Sequence, residues 1–362
     1  MRSALVFVEL LGLFAAGAAA ACSPVVFTVT FESENVVFGN PPDPNNATAI
    51  KEFFNTSLTE GPNIVGTQPT SQTVEISGRY CSPPVGVKQI GVLQLLVHGI
   101  TYTKDLWSGF GLSDEYDWEH FATSKGYHTL AIDRLGHGQS TKPEPLAVTQ
   151  GPAHVSVLHE LIQQIRSGSH PEIVEPEKLV YIGHSYGSAM GNRLSFAHPA
   201  DVDVYVLTGY SDTVNVPVDA LDLDPAAAVL PRFAGLPLGY FTFESQSART
   251  RVFYDGPFDP AVAAHDFEVQ DTVSVGELFS PGLDRVVTSF TGPVFLITGD
   301  KDFFFCSDGP PACDAVLSGT ARLYPDARFE YEVVKNAGHL LTTQKSSRKV
   351  FQSVHKWLSR VL

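Results

Sequence analysis

The stretch VYIGHSYGSA, residues 180–189, is the one whose reading decides the fold. Its apolar start reads as a strand that stops at Gly183, a serine stands two residues later, and Gly187 follows at the same spacing. The residues from Tyr186 onward read as the start of a helix. A serine at so sharp a strand-to-helix turn sits in a strained backbone and exposes its hydroxyl. Side chains at Gly183 and Gly187 would strike the neighbouring strand and helix, which accounts for glycine at both. The plain alternative is a linker serine between two glycines, so the surroundings must decide.

Outward from this turn, the chain from residue 88 alternates buried strands with helices. KQIGVLQLLVHG is an apolar run ending in His98-Gly99, and DEYDWEHFATSKG reads as a helix with a glycine stop. YHTLAIDRLGHGQS is a strand and a glycine turn, and PAHVSVLHELIQQIRSG has apolar residues at helical spacing. DVDVYVLTGY and GPVFLITGD are further strands, RFEYEVV is a candidate eighth, and QKSSRKVFQSVHKWLSRVL is a closing amphipathic helix. Strands apolar throughout and separated by helices imply a mostly parallel sheet covered on both faces. The expected fold is therefore α/β, an eight-stranded, mostly parallel sheet with helices on both faces. The alternation breaks over residues 211–288, too long for a plain crossover, which reads as an inserted, mainly helical lid. The expected organisation is a signal peptide at 1–21, an N-terminal extension with the first strands at 22–87, and a core at 88–210 and 289–362.

A serine hydroxyl attacks only when a base takes its proton, and that base needs a carboxylate to hold its tautomer. The carboxylate candidates are Asp300 and Asp302 after PVFLITGD, and the histidine is His339 in NAGHLL. The order Ser185, Asp302, His339 suits three groups carried at the C-terminal ends of sheet strands. In VHGI, the backbone N–H of Ile100 can pair with that of Tyr186 to stabilise an oxyanion.

LLVHGI, AIDRLGHGQS, VYIGHSYGSA, LITGDKD and NAGH occur in an order and spacing that resembles the α/β-hydrolase superfamily, in the branch with a lid between strands six and seven. The resemblance covers residues 88–362. It implies Ser185 as nucleophile, His339 as general base and acid, Ile100 and Tyr186 as oxyanion donors, and Asp302 as the acid, through the pattern G-x-x-D at Gly299. Three departures stand out. Leu135 replaces a glycine of the usual turn, HGITYTKDLW lacks a second glycine, and residues 23–87 carry little of the resemblance. Epoxide hydrolases and dehalogenases of this scaffold need an aspartate where Ser185 stands.

Other polar residues have blander expectations. His98, His137 and Asp133 read as holders of glycine turns, and His184 as structural. One of Phe303, Phe304 and Phe305 is expected to face a pocket, while Phe233, Tyr240, Phe241 and Phe243 read mainly as the lid's own core. No metal-ligand spacing or dinucleotide fingerprint is present, so no cofactor is expected.

The first residues, MRSALVFVELLGLFAAGAAAACSP, have the layout of a secretory signal peptide with cleavage among Ala18 to Ala21; a membrane anchor or an acylated Cys22 are the rival readings. Behind it come an even number of cysteines, Cys22, Cys81, Cys306 and Cys313, which allow three pairings. Cys306–Cys313 as a short closure and Cys22–Cys81 as a tie of the N-terminus are expected. Asn46 in NAT and Asn55 in NTS are glycosylation sequons. The 362 residues, 43% hydrophobic, suffice for a large core, and the net charge of −15 disfavours nucleic acid and anionic membranes. The expectation is a secreted, glycosylated serine hydrolase with no stable membrane span, cleaving a small, neutral, apolar carboxylic ester or lactone. An aminopeptidase or amidase, an acyltransferase, and a catalytically inactive binding module remain the alternatives.

Overall fold

In the computed structural model, which describes residues 20–214, 221–282, 285–306 and 312–362, the chain opens with two long strands. β1 (Ala21–Phe38) and β2 (Ile64–Ser82) form an antiparallel hairpin whose connection carries α1 (Ala47–Glu60). The side chains of β1 alternate, with Val25, Phe27, Val29 and Phe31 buried and Val26, Thr28 and Thr30 between them exposed. Cys22 lies directly opposite Cys81 in the ladder, and the two form a disulfide. Residues 1–19 of the expected signal peptide lie outside the described residues.

The repeating part follows: β3 (Val92–Val97), α2 (Trp118–Thr123), β4 (His128–Ile132), α3 (Gly151–Arg166), β5 (Lys178–His184), α4 (Tyr186–Ala197) and β6 (Val204–Thr208). After an insertion come β10 (Pro293–Gly299), α9 (Ala312–Gly319), β11 (Arg328–Val334) and α10 (Ser347–Val361). The eight strands run in the order β1-β2-β4-β3-β5-β6-β10-β11, antiparallel up to β4 and parallel from there on. Successive strand residues point to opposite faces, so two cores form. Leu95, Leu130, Tyr181, Leu207 and Leu296 pack with Leu158 of α3 and Met190 of α4. Leu96, Ala131, Ile182, Val206 and Ile297 pack on the other face with Trp118 of α2 and Phe351 and Trp357 of α10.

Between β6 and β10 the insertion contributes β7 (Leu223–Pro225), α5 (Ala226–Val229), β8 (Tyr240–Phe243), α6 (Gln246–Phe253), α7 (Pro260–Glu268), β9 (Val273–Ser274) and α8 (Val275–Phe279). Besides the expected helices it has a small antiparallel sheet, β7-β8-β9. The sequence YFTF of β8 favours a strand because it is buried on both sides. Phe241 stacks on Phe54 of α1 at 4.4 Å, and Phe243 meets Phe253 of α6 edge-on at 5.4 Å. Helix α1 thereby joins the insertion, a contact that no local pattern signals.

Candidate active site

Ser185 stands between β5 and α4 with φ 54° and ψ −117°, a conformation that costs a non-glycine residue energy and that the surroundings must impose. Its amide donates to Thr208 O at 2.9 Å. A Cβ on Gly183 would lie 2.6 Å from Gly187 O, and one on Gly187 2.2 Å from Val97 O, so both flanking positions exclude a side chain. The turn presses against the end of β3 as well: a Cβ on Gly99 would come within 2.9 Å of Ser185 Cβ.

His339 follows β11 and Asp302 follows β10, and the two meet. His339 Nδ1 donates to Asp302 Oδ2 at 2.8 Å, both side chains being fully buried. The other oxygen of Asp302 accepts the amides of Phe304 at 2.9 Å and Phe305 at 3.1 Å. A carboxylate only accepts, so the histidine proton is on Nδ1 and Nε2 carries the lone pair. That Nε2 is buried and makes no hydrogen bond to protein. Asp300, the rival acid, instead accepts the amide of Asn336 at 2.7 Å and ties the loop after β10 to the loop after β11.

The rings of Phe304, Phe305 and Phe253 enclose His339 at 4.8, 5.7 and 5.7 Å. His184 lies 4.9 Å from it, ring to ring, with Nδ1 against Thr208 Oγ1 at 3.1 Å. Burial, and then the neighbouring His339, hold the His184 pKa well below the usual imidazole range, so it forms a neutral wall.

Ser185 opens into a cavity of about 110 Å³ lined by Ile100, Tyr186, Leu58, Leu278, Phe304 and Phe305, with Val214, Leu221 and Phe279 completing it. Hollows of about 780 Å³ beside α10 and about 380 Å³ beneath α1 are larger, but neither is lined by Ser185, Asp302 or His339. Two members of the Phe303–Phe305 run line the Ser185 cavity, where one was expected. Phe233, Tyr240, Phe241 and Phe243 are buried away from it. Leu58, from α1, was missed. Only the hairpin's packing on the insertion brings it over Ser185, and nothing in ATAIKEFFNTSL marks it.

The turn residues act as holders. Asp133 accepts the Lys104 amide at 2.8 Å and the Gln139 amide at 3.0 Å, and pairs with Lys104 Nζ at 2.6 Å. His98 Nε2 accepts the Arg134 amide at 3.0 Å, and His137 Nε2 lies 3.0 Å from Glu277. Cys306 is bonded to Cys313, which closes the segment after Asp302. Asn46 is exposed and caps α1 by accepting the Ala49 amide at 3.1 Å; Asn55 is exposed on the same helix. Away from the cavity, His159, His198 and Asp201, and separately Asp222, Asp224 and Glu244, bring possible cation ligands within 4.8 Å of one another. Among the described residues, no helix is long and apolar enough to cross a membrane.

Comparison with known proteins matches residues 94–351 to the model of the alpha/beta hydrolase family. The chain belongs to this family. An uncharacterized protein of Mycobacterium tuberculosis is 24% identical over 264 residues, which is 68% of this chain and 69% of that protein. Among solved alpha/beta hydrolase folds, a monoglyceride lipase from Saccharomyces cerevisiae superposes with a TM-score of 0.56 at 17% identity, covering 79% of this chain and 92% of the lipase. A thermophilic esterase from Thermogutta terrifontis gives 0.52 at 15% identity, covering 80% and 94%. An epoxide hydrolase from Vigna radiata gives 0.55 at 13% identity, covering 79% and 95%. At such low identities these likenesses show the shared fold alone.

Proposed function

We propose that the protein is a secreted serine hydrolase that cleaves a small, neutral, apolar carboxylic ester or lactone through an acyl-enzyme. The observation that carries this reading is the buried Asp302–His339 pair, with its Nε2 unpartnered, packed 4.9 Å from the ring of His184 beside the strained Ser185 and 4.8 Å from Phe304, which lines the apolar cavity that Ser185 opens into. His339 Nε2 takes the proton of Ser185 Oγ as that oxygen attacks the ester carbonyl. The amides of Ile100 and Tyr186 receive the oxyanion, the C–O bond breaks, and His339 returns the proton to the leaving alcohol. Water then enters, gives its proton to Nε2 and attacks the acyl carbon, and Ser185 is released with the carboxylic acid. Asp302 keeps the imidazole in the productive tautomer and balances its transient charge.

The cavity favours an ester over an aminopeptidase substrate: among its described lining residues there is no carboxylate to hold a free ammonium group. Serine at position 185 likewise favours acyl transfer over the aspartate chemistry that opens epoxides. Two disulfides and exposed sequons at Asn46 and Asn55 fit passage through an oxidising secretory compartment. The test is labelling with a fluorophosphonate followed by peptide mapping, together with turnover of short and long acyl esters, lactones and aminoacyl amides. Label on Ser185 and ester turnover abolished in Ser185→Ala are the expected results. An unlabelled Ser185, or full activity in the variant, refutes the proposal.

A further inference from the structure

The loop HGITY after β3 would supply the Ile100 amide to the oxyanion, yet it lacks the second glycine that would let its backbone take the required shape freely. Thr101 sits in the left-handed region at φ 57°, an unfavourable conformation for a β-branched residue, so something outside the loop must hold it. The structure has two buried guanidinium groups at this place, each paired with a carboxylate of the insertion.

The first is Arg134, which follows β4 and is 2% exposed. Its Nε donates to His98 O at 2.9 Å and its Nη2 to Gly99 O at 3.1 Å. The Gly99 carbonyl and the Ile100 N–H belong to one trans peptide, in which C=O and N–H point in opposite directions. Holding that carbonyl toward Arg134 therefore turns the Ile100 N–H away from Arg134. His98 adds to the hold: its Nε2 accepts the Arg134 amide, so its Nδ1 carries the proton and donates to Gly99 O at 2.7 Å. The same guanidinium lies 4.7 Å from the ring centre of Tyr186, the residue that supplies the other oxyanion amide.

Arg134 is itself held by the insertion. Its Nη1 donates to Glu277 Oε1 at 2.5 Å, and Glu277 is locked at the start of α8 by reciprocal bonds with Ser274 of 2.9 and 3.0 Å. The second guanidinium, Arg249 of α6, pairs with Asp266 at 2.8 Å and donates to Thr101 Oγ1 at 2.8 Å. The Thr101 amide donates to Thr272 O at 3.0 Å, and Thr101 O accepts the Asp271 amide at 2.9 Å. Both neighbours of the Ile100 amide are thus tied to the insertion through buried polar groups.

We propose that Arg134 is the positioning residue of the oxyanion hole, orienting the Gly99–Ile100 peptide while Glu277 of the insertion anchors it. The insertion then completes the catalytic geometry in addition to roofing the cavity. This inference rests on the serine-hydrolase reading above, and it assigns Arg134 no contact with substrate. Because Glu277 neutralises its charge, Arg134 acts through geometry.

The test is Arg134→Lys in the full chain, since an ammonium group lacks the fork that reaches two successive carbonyls and Glu277 together. Concentrations are normalised by end-point fluorophosphonate titration of Ser185, and thermal midpoints are compared. The expected result is a 10- to 100-fold fall in kcat with KM within threefold, below the full loss of an oxyanion donor. The affinity for a trifluoromethyl ketone, which presents the oxyanion, should fall in step with kcat. A merely structural role would lower the amount of folded enzyme without moving the titrated kcat or the ketone affinity. Should Arg134→Lys fail to fold, the isosteric Glu277→Gln is expected to show the same pattern at 3- to 10-fold. Wild-type kcat and ketone affinity in a titrated variant, or a loss confined to KM, overturns the inference while leaving the hydrolase reading intact. A wild-type chain with an unreactive Ser185 that cleaves no ester overturns the hydrolase reading, and this inference with it.

Discussion

Replacing Asp302 by asparagine changes one atom and separates the two carboxylates that the sequence left as rivals. In the structure one Asp302 oxygen accepts two backbone amides, at 2.9 and 3.1 Å, while the other faces His339 Nδ1 at 2.8 Å. The amide oxygen of the variant will stay on the two N–H groups, because a donor there would face donors. Its NH₂ group is then directed at His339 Nδ1 and forces the proton to Nε2, the atom that accepts from Ser185 in the proposed mechanism. Loss of the productive tautomer in a buried Ser-His-Asp system lowers kcat by about 10⁴-fold, equivalent to ~5.4 kcal/mol of transition-state stabilisation. Both side chains are wholly buried here, so solvent cannot supply a substitute acceptor, and the full effect is expected. The assay is steady-state hydrolysis of a p-nitrophenyl ester with active sites counted by slow fluorophosphonate labelling. Asp300→Asn serves as the control. Its carbonyl still accepts the Asn336 amide, so kcat should stay within a fewfold of wild type. An Asp302→Asn enzyme that keeps more than a tenth of wild-type kcat, or an Asp300→Asn enzyme that loses as much as Asp302→Asn, would refute this assignment.

Three further outcomes are expected. Leu58→Ala enlarges the Ser185 cavity from the α1 side, so kcat/KM for longer acyl chains should rise relative to short ones by about fourfold per methylene admitted; an unchanged chain-length profile would place Leu58 outside the acyl site. The Cys22–Cys81 bond closes a separation of 59 residues, and Cys22→Ser with Cys81→Ser should cost about 4 kcal/mol in urea unfolding. A loss under 1 kcal/mol would mean that the ladder alone closes the hairpin. His355 is buried against Trp118, Phe121 and Tyr127, and burial pushes its pKa down to about 4. Trp118 Nε1 donates to Gln94 Oε1, so Gln94 Nε2 donates to His355 Nε2, which has no room for a second proton. The unfolded chain binds that proton near pH 6.5, so this residue's stability contribution is complete above that pH and is lost as pH falls toward 4, by about 3 kcal/mol. Urea melts of wild type and His355→Gln across this range should show a flatter acid limb in the variant, and parallel curves would contradict it.

The parallel strands, the elbow at Ser185 and the Cys306–Cys313 closure were legible because their causes are local. Apolar runs of strand length, glycines forced by backbone crowding, and two cysteines 7 residues apart all leave their mark within a short stretch of chain. Asp302 against Asp300 was legible only in part. Both follow the same strand, and what separates them is whether Phe304 and Phe305 or Asn336 supplies the amides, a matter of the turn's path. His184 read as structural, but only the fold shows that it is a wall of the imidazole site.

The sequence by itself determined the scaffold and the chemical kinds of group at the site, since strand periodicity and the glycine turns are properties of neighbouring residues. The tertiary structure decided which groups meet. Helix α1 reaches the Ser185 cavity because Phe54 finds Phe241 across 187 residues of chain. Arg134 reaches the loop after β3 because Glu277, 143 residues away, offers the carboxylate that makes burying its charge tolerable. Buried aromatic stacking and buried ion pairing act at contact distance whatever the sequence separation, and so leave no pattern in the chain.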